Sequence, residues 1–267
     1  MIRIGASTAC LYPLETEKAL DVLLALGFRT LEVFVNTASE ITPAFISTLR
    51  RKIEKANARI VSLHPFTSVA EPYLLFTEYE RRFQDGLQAY DTMFRAAADL
   101  GASFLVMHGD RITTNGCLPE EKSFERYEAV YDLGCRHGVT LAQENVCRNR
   151  SNAPEYLLHM RQALGSKAHF VFDTKQVIRS HTTNEAVLAA MGNHIAHIHI
   201  SDHNDQYDCL VPGEGCGDFG QVFSHLSSFG YDGAIVIELY RKNYKTPEDL
   251  VKGAKYLEKI VKEQRII

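Results

Sequence analysis

Apolar residues along this chain fall into two alternating patterns. Short, nearly continuous runs rich in Val, Ile, Leu and Phe are each followed by a loop and a longer amphipathic segment. A continuous apolar run bounded by turn residues reads as a strand covered on both faces, as in a parallel sheet. The runs lie at 3–7, 30–35, 60–64, 104–108, 140–144, 169–173, 197–201 and 234–239. The amphipathic segments lie at 15–26, 43–57, 78–100, 120–137, 154–163, 185–191, 219–229 and 247–262. Gly27, Gly101, Gly138 and Gly230 follow helical segments, where a left-handed cap favours glycine. Pro43, Pro154 and Pro247 stand where helices start. Eight strand–helix units at roughly 30–40 residue spacing suit βαβ connections. The pattern predicts an α/β fold in which a single domain over residues 1–267 closes as a (β/α)₈ TIM barrel. The rival is an open doubly wound sheet, but no Gly-x-Gly-x-x-Gly follows the first strand.

Composition changes this picture little. The 267 residues are 45% hydrophobic and 23% charged, enough for a sizeable core, and the net charge of −4 supplies no bulk positive field. No nucleic-acid or membrane partner is therefore expected. The N-terminal Met-Ile-Arg-Ile-Gly runs straight into a strand without an apolar signal region, and no apolar run is long enough to span a bilayer. Cys10, Cys117, Cys135, Cys147, Cys209 and Cys216 form no Cys-x-x-Cys pair. They read as reduced thiols of a cytoplasmic protein. A homo-oligomer is compatible with all of this.

The strand ends carry the chemistry. In a (β/α)₈ barrel, reacting groups sit where strands finish. Glu32 ends the second run and His64 the third. His108 follows in VMHGD, Glu144 in LAQENV and Asp173 in FVFDT. HIHISD supplies His199 and Asp202, and IVIEL supplies Glu238. Any one of these has an ordinary explanation: a satisfied core histidine at 64 or 108, or a hydrogen-bonding support at Glu32. His197, one pleat deeper than His199, reads as structural. As a set they are harder to dismiss, because buried carboxylates are usually paired or metal-bound. Glu144, Asp173, His199 and Glu238 occupy four consecutive strand ends and would converge on one axis. Three carboxylates and an imidazole suit one divalent ion: Mn²⁺ first, with Zn²⁺, Co²⁺ and Mg²⁺ as alternatives.

At these residues the chain resembles the xylose isomerase-like TIM-barrel superfamily. That superfamily includes sugar-phosphate isomerase/epimerases, ketose 3-epimerases, inosose dehydratases and the endonuclease IV group. The resemblance rests on ALGFRTLEVF (25–34), HPF (64–66), MHGD (107–110), QENV (143–146), FDTKQ (172–176), HIHISD (197–202), PGEGCGDFG (212–220) and IVIEL (235–239). It spans nearly the whole chain. It implies that Glu144, Asp173, His199 and Glu238 hold the metal. It also implies that Glu144 and Glu238 flank a sugar or polyol substrate and exchange protons with its carbon. The PGEG loop would close near that substrate. Glu32, His64, His108, Gln176 and Asp202 are candidate substrate-binding groups. The chain departs from the family at Asp173-Thr-Lys-Gln176, where Asp-x-x-His is common; Gln176 can hydrogen-bond a hydroxyl but does not titrate near neutral pH. Asp205, Arg148 and Arg150 stand where the epimerase branch tends to have an arginine and a glutamate. Arg148 and Arg150 are candidates for a substrate phosphate or carboxylate; solvated loop arginines are the alternative.

The reading is a divalent-metal-dependent isomerase or epimerase of a sugar, sugar phosphate or related polyol. It would abstract a proton α to a carbonyl and pass through a metal-stabilised enediolate. An inosose-type dehydratase would use the same ligands. An endonuclease IV-like nuclease for apurinic sites is favoured by His64 and His108. It is opposed by Gln176 and by Tyr207-Asp-Cys209, where an Asp-x-His would be needed. A sugar-binding barrel without catalysis has no need of both Glu144 and Glu238.

Overall fold

The computed structural model describes residues 2–111 and 118–264, so Cys117 lies outside the described residues. Eight parallel strands close into a barrel in chain order. They are β1 (Arg3–Ser7), β2 (Thr30–Phe34), β3 (Arg59–His64), β4 (Phe104–Met107), β5 (Thr140–Glu144), β6 (Phe170–Asp173), β7 (Ile195–Ile200) and β8 (Ala234–Ile237). β8 pairs back onto β1, with Arg3 opposite Ala234 and Ala6 opposite Ile237. The predicted open-sheet rival is therefore excluded, and the (β/α)₈ barrel is the fold. Among the described residues no helix is long and apolar enough to cross a membrane. Cys10, Cys135, Cys147, Cys209 and Cys216 are free thiols.

The helices are α1 (Thr16–Ala25), α2 (Pro43–Lys55), α3 (Glu71–Leu74), α4 (Glu80–Asp99), α5 (Glu120–Arg136), α6 (Pro154–Leu164), α7 (Thr174–Arg179), α8 (Asn184–Met191), α9 (Phe219–Ser228) and α10 (Glu248–Glu263). Two of them, α3 and α7, were not legible as periodic segments, because each is a turn or two long. The other eight match the amphipathic segments to within two residues at either end. β4 stops at Met107 and β8 at Ile237, so His108 and Glu238 stand just past the ladder. After His108 the backbone turns through Gly109 at φ 78°, and a Cβ there would meet the Gln143 side-chain amide at 2.2 Å.

Alternation along the strands sorts the side chains into two compartments. Leu105, Met107, Phe170, Phe172, Ile198, Ile200, Ile235 and Ile237 belong to the main core, packed under the helices. Val106, Ala142 and Val171 form a separate small cluster, and Val61, Ala234 and Val236 another. These are inward-facing positions. Towards the strand ends the same inward rows become polar: Glu32, His64, Glu144, Asp173 and His199. The ladder register sets their heights, with Glu32 opposite Ser62, Phe34 opposite His64 and Asp173 opposite His199.

Gly5 on β1 has no room for a side chain. A Cβ there would lie 2.3 Å from the Thr30 carbonyl oxygen on β2, and backbone cannot swing aside. Overpacking of a filled interior typically costs ~1–3 kcal/mol, occasionally more. Gly5→Ala is therefore expected to lose at least that much in urea denaturation. A wild-type midpoint would show that β1 and β2 can separate without penalty.

Candidate metal and substrate site

His199 is fully buried, and both of its ring nitrogens are directed. Nε2 donates to Glu32 Oε2 at 2.8 Å. That carboxylate oxygen also accepts from Ser62 Oγ at 2.7 Å and lies 3.3 Å from His197 Nε2. Burial pushes the Glu32 carboxyl up, but the His199 and His197 imidazoles outweigh it and hold the group well below the usual carboxylate range. Glu32 is fully buried, lies outside the cavity wall and orients His199. His197 is fully buried and tied to Ser62 and Glu32, the structural position expected of it.

With Nε2 committed, Nδ1 of His199 faces three carboxylates. It lies 3.8 Å from Glu144 Oε1, 4.0 Å from Asp173 Oδ2 and 3.7 Å from Glu238 Oε2. Ligating atoms of all four side chains lie within 4.8 Å of one another. His199 Nδ1 is buried and makes no hydrogen bond, and the buried Asp173 Oδ2 is held only by an ion pair with Lys175, whose Nζ lies 3.1 Å away. An ion about 2.0–2.2 Å from each ligand would set neighbouring ligand atoms roughly 3–4 Å apart, the spacing found here. The four residues predicted as ligands therefore fit one divalent ion. A second group, His64, His108 and Glu144, also meets the spacing for a metal. There His108 Nε2 lies 3.1 Å and His64 Nε2 3.7 Å from Glu144 Oε2, and the two imidazole nitrogens are 3.2 Å apart.

Charge crowding sets the protonation states. Burial raises the Glu144 carboxyl, but His108, His199 and His64 hold it well below its ordinary range. Burial also raises Glu238, and Lys175 and His199 bring it down. Asp173 is pushed up to about 7, by burial first and by the Glu144 and Glu238 charges against the pull of Lys175. Burial alone would keep His199 neutral, yet Glu32, Glu238 and Glu144 lift it well above the usual imidazole range. Both glutamates are therefore ionised near neutral pH.

A cavity of about 330 Å³ opens against this group. Its walls include His64, His108, Glu144, Gln176 and Glu238, with Tyr12, Phe34 and Tyr240 supplying apolar and aromatic surface. That size is at the small end for small-molecule sites. Gln176 follows Asp173 because Asp173 caps α7, its Oδ1 accepting from the Gln176 backbone N–H. The Gln176 side-chain oxygen accepts from Cys147 N at 3.1 Å.

Three of the remaining predicted residues lie away from the cavity, two of them with other partners. Asp202 is buried, and its carboxylate accepts from the backbone N–H groups of His203, Gly213, Gly215 and Gly217 at 2.8–3.0 Å. It anchors the PGEG loop and does not line the cavity. Arg150, predicted near the mouth as an anion contact, is not brought to the cavity. Its guanidinium donates to Leu118 O, Asp110 and Ser123, pairs with Glu120 at 3.1 Å and lies over the Tyr156 ring. These partners pin the loop after β5 to the start of α5. Arg148 is exposed and also lies outside the cavity wall.

Two buried charges beside the site escaped sequence reasoning. Lys175 places Nζ 2.6 Å from Glu238 Oε2 and 3.1 Å from Asp173 Oδ2. Its signal was its place in FDTKQ, two residues after a strand-end aspartate. Glu71 accepts from Gly109 N at 2.7 Å and from the Tyr90 hydroxyl, fixing the turn that carries His108. Glu71 lies in a non-periodic stretch that gave no sign of burial.

The Asp202 anchor makes a direct prediction. Hydrogen bonds to a charged group are worth ~1.5–3 kcal/mol each, and their loss leaves buried donors unmet. Asp202→Ala is expected to cost at least one such bond in denaturation and to expose residues 211–217 to limited proteolysis. An unchanged cleavage pattern would mean the loop is held by other contacts.

The chain matches the family model described as xylose isomerase-like TIM barrel over residues 20–260. A solved structure described as a D-tagatose 3-epimerase-like protein superposes with a TM-score of 0.81 at 20% identity, covering 99% of this chain and 98% of that one. An uncharacterized protein of Mycobacterium tuberculosis is 24% identical over 89% of both chains. An inosose isomerase of Bacillus velezensis is 26% identical over 66% of this chain and 68% of its own length. With a match spanning most of its length, on a closed eight-stranded parallel barrel, this chain belongs to the xylose isomerase-like TIM-barrel family.

Proposed function

We propose that the protein is a divalent-metal-dependent isomerase or epimerase acting on a sugar, sugar phosphate or related polyol. The observation that carries this reading is the group Glu144, Asp173, His199 and Glu238, two of which, the glutamates, line a cavity. The epimerase and inosose isomerase names among its relatives support the substrate class. A divalent ion held by the four residues would supply Lewis-acid polarisation of a substrate carbonyl. Glu144 and Glu238 would do the proton work. They reach the cavity from the end of β5 and from just beyond β8, on different sides of the barrel. One carboxylate takes the proton α to the carbonyl, and the other returns a proton to the opposite face. His108, 3.1 Å from Glu144 Oε2, is placed to steady that carboxylate, and His64, His108 and Gln176 offer donors to substrate hydroxyls. Phe34 and Tyr12 cover the cavity's apolar side and limit water at the reacting carbon.

A dehydratase acting on a cyclic polyol ketone is the second reading; the inosose isomerase relative points to that kind of substrate, though its name is that of an isomerase. Both begin with the same proton abstraction. The test is a screen of free ketoses, ketose phosphates and inososes in deuterated buffer, with Mn²⁺-loaded protein of measured occupancy. Deuterium is expected at the carbon beside the carbonyl of one class, and chelation should stop it. Inversion without loss of water assigns an epimerase; loss of water assigns a lyase. No exchange into any of them overturns the proposal. Nicking of abasic duplex DNA would instead assign the nuclease branch.

A further inference from the structure

Lys175 puts an ammonium inside the carboxylate group. The side chain is 5% exposed, and the Tyr240 ring lies 5.3 Å from Nζ. The two oxygens it contacts, Glu238 Oε2 and Asp173 Oδ2, are the same two that face His199 Nδ1 at 3.7 and 4.0 Å. An ion entering between the four ligands would need those oxygens. It would meet a cation already bound to half of the ligand set. The local charge count explains why a cation belongs there. Glu144 and Glu238 are ionised, and with Asp173 ionised as well the three would carry −3; such charges are costly to bury without compensation. Lys175 offsets one of them with no added ion. Asp173 caps α7, so the lysine stem is anchored within two residues of a ligand and its ammonium reaches both oxygens.

We infer that Lys175 is a built-in counter-cation which a divalent ion must displace from Asp173 and Glu238, so that metal binding in this chain is an exchange and its affinity is set by the lysine. This rests on the metal-site reading above. Once displaced, the ammonium stays at the cavity wall that Lys175 helps form, beside Tyr240. The loaded site is then close to neutral, because −3 from the carboxylates is met by +2 from the ion and +1 from the lysine. Without Lys175 the Asp173 and Glu238 oxygens would lose their ammonium partner, and the ion would meet no competing ammonium on them.

The experiment compares chelator-stripped wild type, Lys175→Met and His199→Ala by calorimetric titration with Mn²⁺ and by thermal unfolding. Lys175→Met keeps the stem and removes the charge. It is expected to bind Mn²⁺ at least tenfold more tightly than wild type. Its stripped form should melt lower, and Mn²⁺ should raise its Tm by more. Binding by Lys175→Met where wild type binds none is the stronger form of the same result. Equal or weaker binding by Lys175→Met overturns the exchange while leaving the metal site intact. Absence of binding in both wild type and Lys175→Met overturns the metal reading itself, and the exchange with it. If Lys175→Met does not fold, Lys175→Gln, which can hydrogen-bond the same oxygens without a charge, carries the same comparison.

Discussion

Glutamine at position 144 or 238 is expected to lower turnover by ~10²–10⁴-fold, the usual worth of a positioned acid or base. Glu144 is buried and Glu238 mostly buried against the cavity, and both are held ionised by their neighbours, Glu144 by His108, His199 and His64 and Glu238 by Lys175 and His199. An amide has nearly the same shape but takes no proton, so the expected defect lies in the rate. Each residue also belongs to the proposed metal group, so metal occupancy must be measured beside the rate. The two single variants should differ in kind. In a two-base mechanism, one of them still exchanges the α-proton with solvent but no longer inverts the centre. The double variant Glu144→Gln, Glu238→Gln, assayed with its metal content established, should do neither. Full epimerisation by the metal-loaded double variant would leave the barrel without an identified base and end this mechanism.

The barrel was legible because its strands are covered on both faces. Runs such as FVFD on β6 and AIVI on β8 are apolar at nearly every position, and only a parallel sheet under helices hides both sides of so many strands. The polar strand ends were legible for the same reason, since a carboxylate directly after such a run stands out. What could not be read was direction and pairing. Arg150 and Lys175 are both cations close in sequence to strand-end acids, yet Arg150 turns back to Asp110 and Glu120 while Lys175 turns inward. The Lys175–Glu238 contact joins residues 63 apart in sequence, a relation that only barrel closure creates. Asp202 looked like one more mouth carboxylate. Its four backbone donors lie on its own neighbour and on a loop up to 15 residues away, and periodicity carries no trace of them. Short helices were missed because neither is long enough to show a repeating apolar face: α7 is fixed by the Asp173 cap, and α3 carries the buried Glu71 without a side-chain cap. Asp173 is both the cap of α7 and a candidate ligand, so local and functional demands coincide there.

Replacing His199 with Ala should abolish tight binding of a divalent ion, and replacing Glu32 with Gln should weaken it by ~10–100-fold. The two variants probe successive links of one chain. His199 offers Nδ1 to the carboxylate group only because Nε2 is held 2.8 Å from Glu32 Oε2. Alanine removes the nitrogen and leaves three carboxylates facing one another in a buried site. Glutamine at 32 can still accept from His199 and Ser62 through its carbonyl oxygen, so the ring orientation survives while the charge that makes the imidazole a stronger ligand is lost. A graded response is therefore the signature: about one Mn²⁺ per chain in wild type, the same stoichiometry at higher Kd in Glu32→Gln, and none retained through dialysis in His199→Ala. Elemental analysis gives the stoichiometry and titration calorimetry the Kd. Unchanged metal content in His199→Ala would remove this residue from the ligand set. Ions bound there in more than one equivalent would point to the neighbouring group of His64, His108 and Glu144, whose nitrogens and carboxylate oxygen already lie 3.1–3.7 Å apart. That outcome would shift weight from sugar chemistry towards the multi-metal nuclease branch, and His64→Ala would then be the variant that lowers the count.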